Sequence, residues 1–317
     1  MQGEVARVAG AVALASARGV WRERAGLLVT VRADGTWGQG EASPLPGYSR
    51  ETLTECEAAL ERAPWRRLDV GSVAEVAAVL AEWRAPAAAR CALEAALLDR
   101  LARRAGVPLW RLLGGAPGEL ALSALVGDAA DVHAAAARGV RTCKIKVGRD
   151  WDAELALART VRAAGLTLRA DANGAWSPSQ APARLAALAA LGVELVEEPG
   201  VASDLLRVAA DESLLDGPSD SPVIVLKPML LGGILRCLAL AQESRAEVVV
   251  THMWDGPVGL ALAAALAFAL PRARVLACGL DRHPGLAAWP AVDLPFLHAA
   301  TVSAPAGPGL GIAEVRP

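Results

Sequence analysis

An apolar run from Leu27 to Val31 breaks at Asp34-Gly35, and a second strand-like stretch resumes through Trp37. Asp-Gly between two such runs predicts a hairpin, so the first 60 residues read as an antiparallel sheet. The period then changes to that of helices over 51–63, 73–83 and 89–106. The third stops at Gly106, with Pro108 just beyond, an ordinary helix end. After the loop 112–117, short apolar runs alternate with helical ones. The expected strands are 120–126, 142–147, 167–171, 193–199, 207–213, 223–228, 247–252 and 274–279. Helices are expected over 128–139, 150–165, 178–192, 232–246 and 259–270. Strand–helix repetition implies a parallel sheet, and eight strands in this length predict a closed (β/α) barrel. The competing architecture is a doubly wound open sheet, but no GxGxxG follows any strand. The Gly/Pro-rich tail, 298–317, is expected to pack back on the N-terminal part. The division is 1–117, 118–290 for the barrel, and 291–317 for the returning tail.

Composition narrows the class. The 317 residues are 54% hydrophobic and 21% charged, a globular balance. A net charge of −2 offers nothing to nucleic acid or an anionic membrane. The longest apolar stretch, 257–270, is shorter than the ~20 residues a bilayer span needs. MQGEVARVAG has no signal-peptide character. Five scattered cysteines lack CxxC or zinc spacing and read as free thiols in a reducing cytoplasm. The sequence leaves the oligomeric state open.

Candidate chemistry gathers at strand ends. Alternation puts Lys144 and Lys146 on one face of TCKIKV. By themselves, two lysines suit a solvated edge strand as well as a barrel interior. The later strands end in Asp171 and Asn173, then Glu197 and Glu198, then Asp211 and Glu212, then Lys227. In a barrel, C-terminal strand ends form the active-site mouth. Three carboxylates there are hard oxygen ligands for Mg²⁺, with Mn²⁺ as the alternative ion. Without a cation they would repel one another. A lysine base must titrate well below its usual ~10.4, and a neighbouring ammonium favours the neutral form. Lys144 beside Lys146 is expected to act so. The reaction class is proton removal α to the carboxylate of a small substrate, through a metal-stabilised enediolate.

KIK at 144–146, DAN at 171–173, EEP at 197–199, DES at 211–213 and LKP at 226–228 resemble the enolase superfamily, muconate-lactonizing subgroup, over nearly the whole chain. GQGEASPLPGYSRET (38–52) and LRADANGAW (168–176) are similar to stretches of the o-succinylbenzoate synthases of menaquinone biosynthesis. The resemblance implies a modified TIM-type barrel under an N-terminal α+β capping domain completed by the C-terminal tail. It implies syn-dehydration of 2-succinyl-6-hydroxy-2,4-cyclohexadiene-1-carboxylate to 2-succinylbenzoate. By position, Lys146 is the base and the acid for the departing hydroxyl, and Lys144 tunes it. Asp171, Glu197 and Asp211 hold Mg²⁺, and Lys227 faces the enediolate from the opposite side. Arg169 and Asn173 support the site. The loop Ser43, Pro44, Leu45, Gly47, Tyr48 closes over the substrate.

Two stretches depart from the pattern. Asp211 follows Glu197 by 14 positions and precedes Lys227 by 16. This leaves room for at most a turn of helix on either side, since a full crossover takes ~10–12 residues. The barrel is expected to be thinned there, with Glu212 as the fallback for Asp211. THMWDGPVG (251–259) replaces a small, Ser-rich loop; His252 and Asp255 either reach the substrate or, for the histidine, cap the loop. His133, His283 and His298 show no partner pattern. Lys146 and Lys227 would also serve a dipeptide epimerase or N-acylamino acid racemase of the same superfamily. A non-catalytic barrel is the third reading.

Overall fold

The computed structural model describes residues 1–16 and 19–317. Strands β1 (Gln2–Ser16), β2 (Gly19–Ala33) and β3 (Thr36–Ala42) form an antiparallel sheet in that order. The Asp34–Gly35 turn has φ of 50° and 70°, the type I′ geometry that matches strand twist. Leu27 to Val31 are all buried because both faces of β2 are covered. Helices α1 (Leu53–Glu61), α2 (Val73–Glu82) and α3 (Ala87–Arg104) follow. Helix α3 lies against β3 so closely that a Cβ on Gly40 would stand 1.8 Å from the Ala92 carbonyl oxygen. The opposite face meets the 284–289 segment, where Trp289 packs on Gly26.

After α4 (Leu109–Leu112), the run 120–126 becomes two strands. β4 (Glu119–Ala121) pairs antiparallel with a strand of the tail, Thr301–Ser303, while β5 (Ser123–Leu125) joins the barrel. Strands β5, β6 (Thr142–Lys146), β7 (Thr167–Asp171), β8 (Leu195–Glu197), β9 (Arg207–Ala210), β10 (Val223–Leu226) and β11 (Glu247–Val250) neighbour one another in chain order, all parallel. Segment 275–279 closes the ring. It bridges to β11 at Val248, to Thr251 just past β11, and to Leu122 just before β5 through Cys278. Helices α5 (Ala129–Ala137), α6 (Trp151–Ala163), α7 (Ala181–Ala190), α8 (Pro228–Leu231), α9 (Ile234–Glu243) and α10 (Pro257–Ala269) cover the outside. No helix separates β8 from β9, and only a 3₁₀ turn (212–216) separates β9 from β10, so the barrel is thinned where the spacing predicts.

Inside the barrel, Leu195, Ala209, Val223, Val225 and Val249 form a small apolar plug. It is the floor on which the polar strand ends stand. The tail, whose strand is β12 (Thr301–Ser303), is tied to the first sheet and α3. Gln39 exchanges two hydrogen bonds with the backbone of Val315, and the buried Asp99 accepts from the backbone of Gln39 and Leu310. Among the described residues, no helix is long and apolar enough to cross a membrane.

Candidate active site

β-alternation carries one face of each barrel strand inward, and the last inward position of four consecutive strands is charged. Asp171 ends β7 and Glu197 ends β8; Asp211 follows β9 and Lys227 follows β10. One carboxylate oxygen from each of Asp171, Glu197 and Asp211 lies within 4.8 Å of the others, and all three residues are buried. Glu212, the fallback, is not in this group and accepts from Asn173 Nδ2 at 3.3 Å. Asp211 Oδ1 is buried without a hydrogen-bond partner. Three hard oxygens, one of them still lacking a partner, suit a divalent cation such as Mg²⁺.

The lysines interleave with this set. Lys144 Nζ donates to Asp171 Oδ2 at 3.0 Å and to Glu197 Oε2 at 2.8 Å. Lys146 Nζ donates to the same Asp171 oxygen at 2.6 Å and to Asn173 Oδ1 at 2.8 Å. Lys227 Nζ donates to Asp211 Oδ2 at 2.5 Å. Lys144 therefore sits between two carboxylates and does not stand free beside Lys146. Burial alone would lift Asp171, yet Lys144 and Lys146 outweigh it and hold its carboxyl far below the usual range. Burial pushes Glu197 up to about 7 and Asp211 to about 6, with Asp171 repelling both. Burial opposes the charge on Lys144 and Lys227, but the carboxylates around each hold its pKa above the ordinary value. Such divergence within one cluster marks a site where charge is crowded for use.

The supporting residues divide. Asn173 binds Lys146, and its backbone, at φ 46°, donates to Asp171 Oδ1 at 3.0 Å. Arg169 lies one inward layer below Asp171. It spans the barrel interior, from Glu194 Oε2 at 2.5 Å to the Ala277 carbonyl at 2.7 Å, as a strut under the site. Above the lysines opens a cavity of about 240 Å³. Leu45 and Tyr48 of the 43–49 loop line it, with Met253 and Trp254 from the loop after β11. Ser43, Pro44 and Gly47 shape the loop from behind, outside the lining. Ser43 Oγ donates to Glu41 at 2.5 Å, the Pro44 carbonyl accepts from Arg24 at 2.9 Å, and Gly47 turns with φ 84°.

His252 lines the cavity and also accepts the Trp254 N–H at 3.0 Å, so it caps its own loop. It stacks on His283 at 4.2 Å, and burial drops its pKa to about 4, leaving a neutral ring. Asp255 is buried behind the wall, where burial and Glu41 lift it to about 7.

Sequence reading missed the groups that hold the roof. Arg24 of β2, 2% exposed, donates to four carbonyls of the two roof loops: Ser43 and Pro44 on one, Met253 and Trp254 on the other. Glu41 accepts the Gly256 and Gly259 N–H groups at the start of α10, at 2.6 and 2.9 Å. An arginine or glutamate beside an apolar run carries no local sign of such partners.

The family profile "MenC, N-terminal domain" matches residues 9–81, and "Enolase C-terminal domain-like" matches 127–214. The chain is 34% identical to the aromatic dipeptide epimerase of Herpetosiphon aurantiacus over 290 residues, 80% of this chain and 81% of that one. It belongs to the enolase superfamily. Another member, the o-succinylbenzoate synthase of Geobacillus kaustophilus, is 32% identical over 214 residues, 61% of this chain and 54% of that one. Within the superfamily, the substrate-liganded L-Ala-D/L-Glu epimerase from Bacillus subtilis superposes with a TM-score of 0.85 at 26% identity, covering 100% of this chain and 99% of that one. Superfamily relatives of similar identity thus carry both synthase and epimerase names.

Proposed function

We propose that this protein is an o-succinylbenzoate synthase, dehydrating 2-succinyl-6-hydroxy-2,4-cyclohexadiene-1-carboxylate to 2-succinylbenzoate and water. The observation that carries this reading is the charge of the cavity wall. Lys144, Lys146, Arg169, Lys227 and Arg282 line it, and the proposed substrate is a dicarboxylate. A dipeptide would need a carboxylate for its ammonium group. The lining carboxylates are Glu197, one of the clustered three, and Asp281, which both terminal guanidinium nitrogens of Arg138 engage. The N-terminal profile match and the SPLPGYS loop over the cavity favour the same substrate.

Lys146 takes the proton α to the ring carboxylate and returns it to the departing hydroxyl on the same face. The C–H electron pair becomes part of the new aromatic ring as the C–O bond breaks. Lys227 comes from β10, four strands round from β6, and presents its ammonium to the opposite face. Lys144 holds Asp171 and Glu197 in register. Asp171, Glu197 and Asp211 would hold Mg²⁺, which supplies positive charge to the substrate carboxylate as the enediolate forms. Leu45, Tyr48, Met253 and Trp254 exclude water from the ring. The five cysteines are free and buried, which fits a reducing cytoplasm.

The second reading is a dipeptide epimerase, favoured by lysines on two opposed strands, which could exchange a proton on either face. Purified protein with Mg²⁺ and the cyclohexadiene carboxylate should lose the diene absorbance. No turnover, with α-proton exchange on a dipeptide instead, would replace the first reading by the second.

A further inference from the structure

Glu198 follows Glu197 directly, yet its side chain serves a different purpose. Its Oε1 accepts three hydrogen bonds: the Asp211 N–H at 2.6 Å, the Ser213 N–H at 3.0 Å and the Ser213 hydroxyl at 2.7 Å. Its own N–H donates to the Ala209 carbonyl at 3.1 Å, and its carbonyl accepts the Gly174 N–H at 2.9 Å. One residue thus joins the ends of β7, β8 and β9, the strands that present Asp171, Glu197 and Asp211. Its φ is 44°, a left-handed conformation that costs a non-glycine residue ~1–3 kcal/mol. Strain of that size persists only where surrounding bonds hold it.

The bracing is needed at this place. Elsewhere a helix returns along the outside of each strand. Between β8 and β9 there is none, and after β9 only one 3₁₀ turn. We propose that Glu198 is the positioning residue that keeps Asp211 in the carboxylate set, doing through three hydrogen bonds what the missing helices do elsewhere in the barrel. This rests on the reading that the set holds a divalent cation. The three donors require an acceptor oxygen at that reach, and a negative charge is not what they need.

The test is calorimetric titration of the full chain with MgCl₂, which needs no turnover. Glu198→Ala and Glu198→Asp, the latter one methylene short, should weaken Mg²⁺ binding ~10–100-fold, as loss of a ligand-orienting partner does. Glu198→Gln keeps the acceptor oxygen and should retain near-wild-type affinity. Circular dichroism in EDTA should match wild type for all three and each should melt cooperatively, Glu198→Ala and Glu198→Asp at a lower temperature for the donors they leave unpaired, which separates positioning from failure to fold. If the alanine variant does not fold, the aspartate and glutamine variants decide. Wild-type affinity in both Glu198→Ala and Glu198→Asp overturns the proposal. So does equal weakening in Glu198→Gln, since charge would then matter and not geometry. A wild-type protein that takes no Mg²⁺ overturns it together with the metal reading. The expected affinities without turnover of the cyclohexadiene carboxylate support the proposal and remove only the synthase reading.

Discussion

Glu94 shows how one buried group can set a pH response. It lies in α3, and its Oε1 accepts the Leu235 N–H at 3.1 Å, at the start of α9. Gly233 passes so near that a Cβ there would stand 2.2 Å from that oxygen. Burial pushes the carboxyl up to about 7, against 4.5 for an ordinary glutamate. The folded state therefore holds this proton more tightly than the unfolded state. Its contribution to stability falls as pH rises from about 4.5 to about 7 and levels off above it, a loss on the order of 3 kcal/mol. Glu94→Gln should remove that share of the slope, so urea unfolding at pH 5 and pH 7.5 should show its stability relative to wild type growing with pH. Lys146 makes a different kind of prediction. Lys146→Ala should lower turnover ~10²–10⁴-fold, the usual worth of a positioned base. Its Mg²⁺ affinity should persist, because Asp171, Glu197 and Asp211 remain. A variant with full activity would remove Lys146 from the base role.

At the scale of elements, the cavity roof is an assembly of two loops from distant parts of the chain. Leu45 and Tyr48 come from one, Met253 and Trp254 from the other, and Trp21 of β2 packs against Tyr48 and Trp254. Arg24 fastens the two by donating to four of their backbone carbonyls. Burial lowers its pKa, and the charges of Asp255 and Glu41 offset this only in part. Lysine has the charge but not five planar donors. Arg24→Lys should leave carbonyls unpaired in a dry place, at ~1–3 kcal/mol each. The loop should then open more often. Faster tryptic cleavage after the exposed Arg50 would report it, and an unchanged cleavage rate would show that the loops hold without the clamp.

Over the whole molecule, the charges of the site balance well enough for the chain to fold before any metal arrives. Lys144 and Lys227 sit among the carboxylates and give each of Asp171, Glu197 and Asp211 an ammonium partner. The protein should therefore melt cooperatively in EDTA. Mg²⁺ should then raise its stability by ~2.7 kcal/mol at a hundred times Kd, seen as a concentration-dependent rise in melting temperature. A melting curve indifferent to Mg²⁺ would rule out binding at these carboxylates.

Much of this was legible in the chain because it is local. The Asp34–Gly35 turn, the alternation of strands and helices, and the charged residue ending each of four barrel strands depend on neighbours a few positions apart. The short spacings around Asp211 likewise announced the missing helices. What the sequence could not decide are pairings that only closure of the ring creates. The split of 120–126 into two strands depends on the tail and on residues 275–279, more than 150 positions away. Glu198 accepts the Asp211 N–H from a left-handed turn that is invisible in its residue type. Arg24 reaches carbonyls up to 230 positions distant. Periodicity and residue chemistry are properties of the chain, so the sequence alone determined the kind of barrel and the kind of groups at its mouth. Which of those groups share one site, and what holds them there, was decided only by the tertiary structure, because burial, desolvation and hydrogen bonding act between residues that the chain itself keeps far apart.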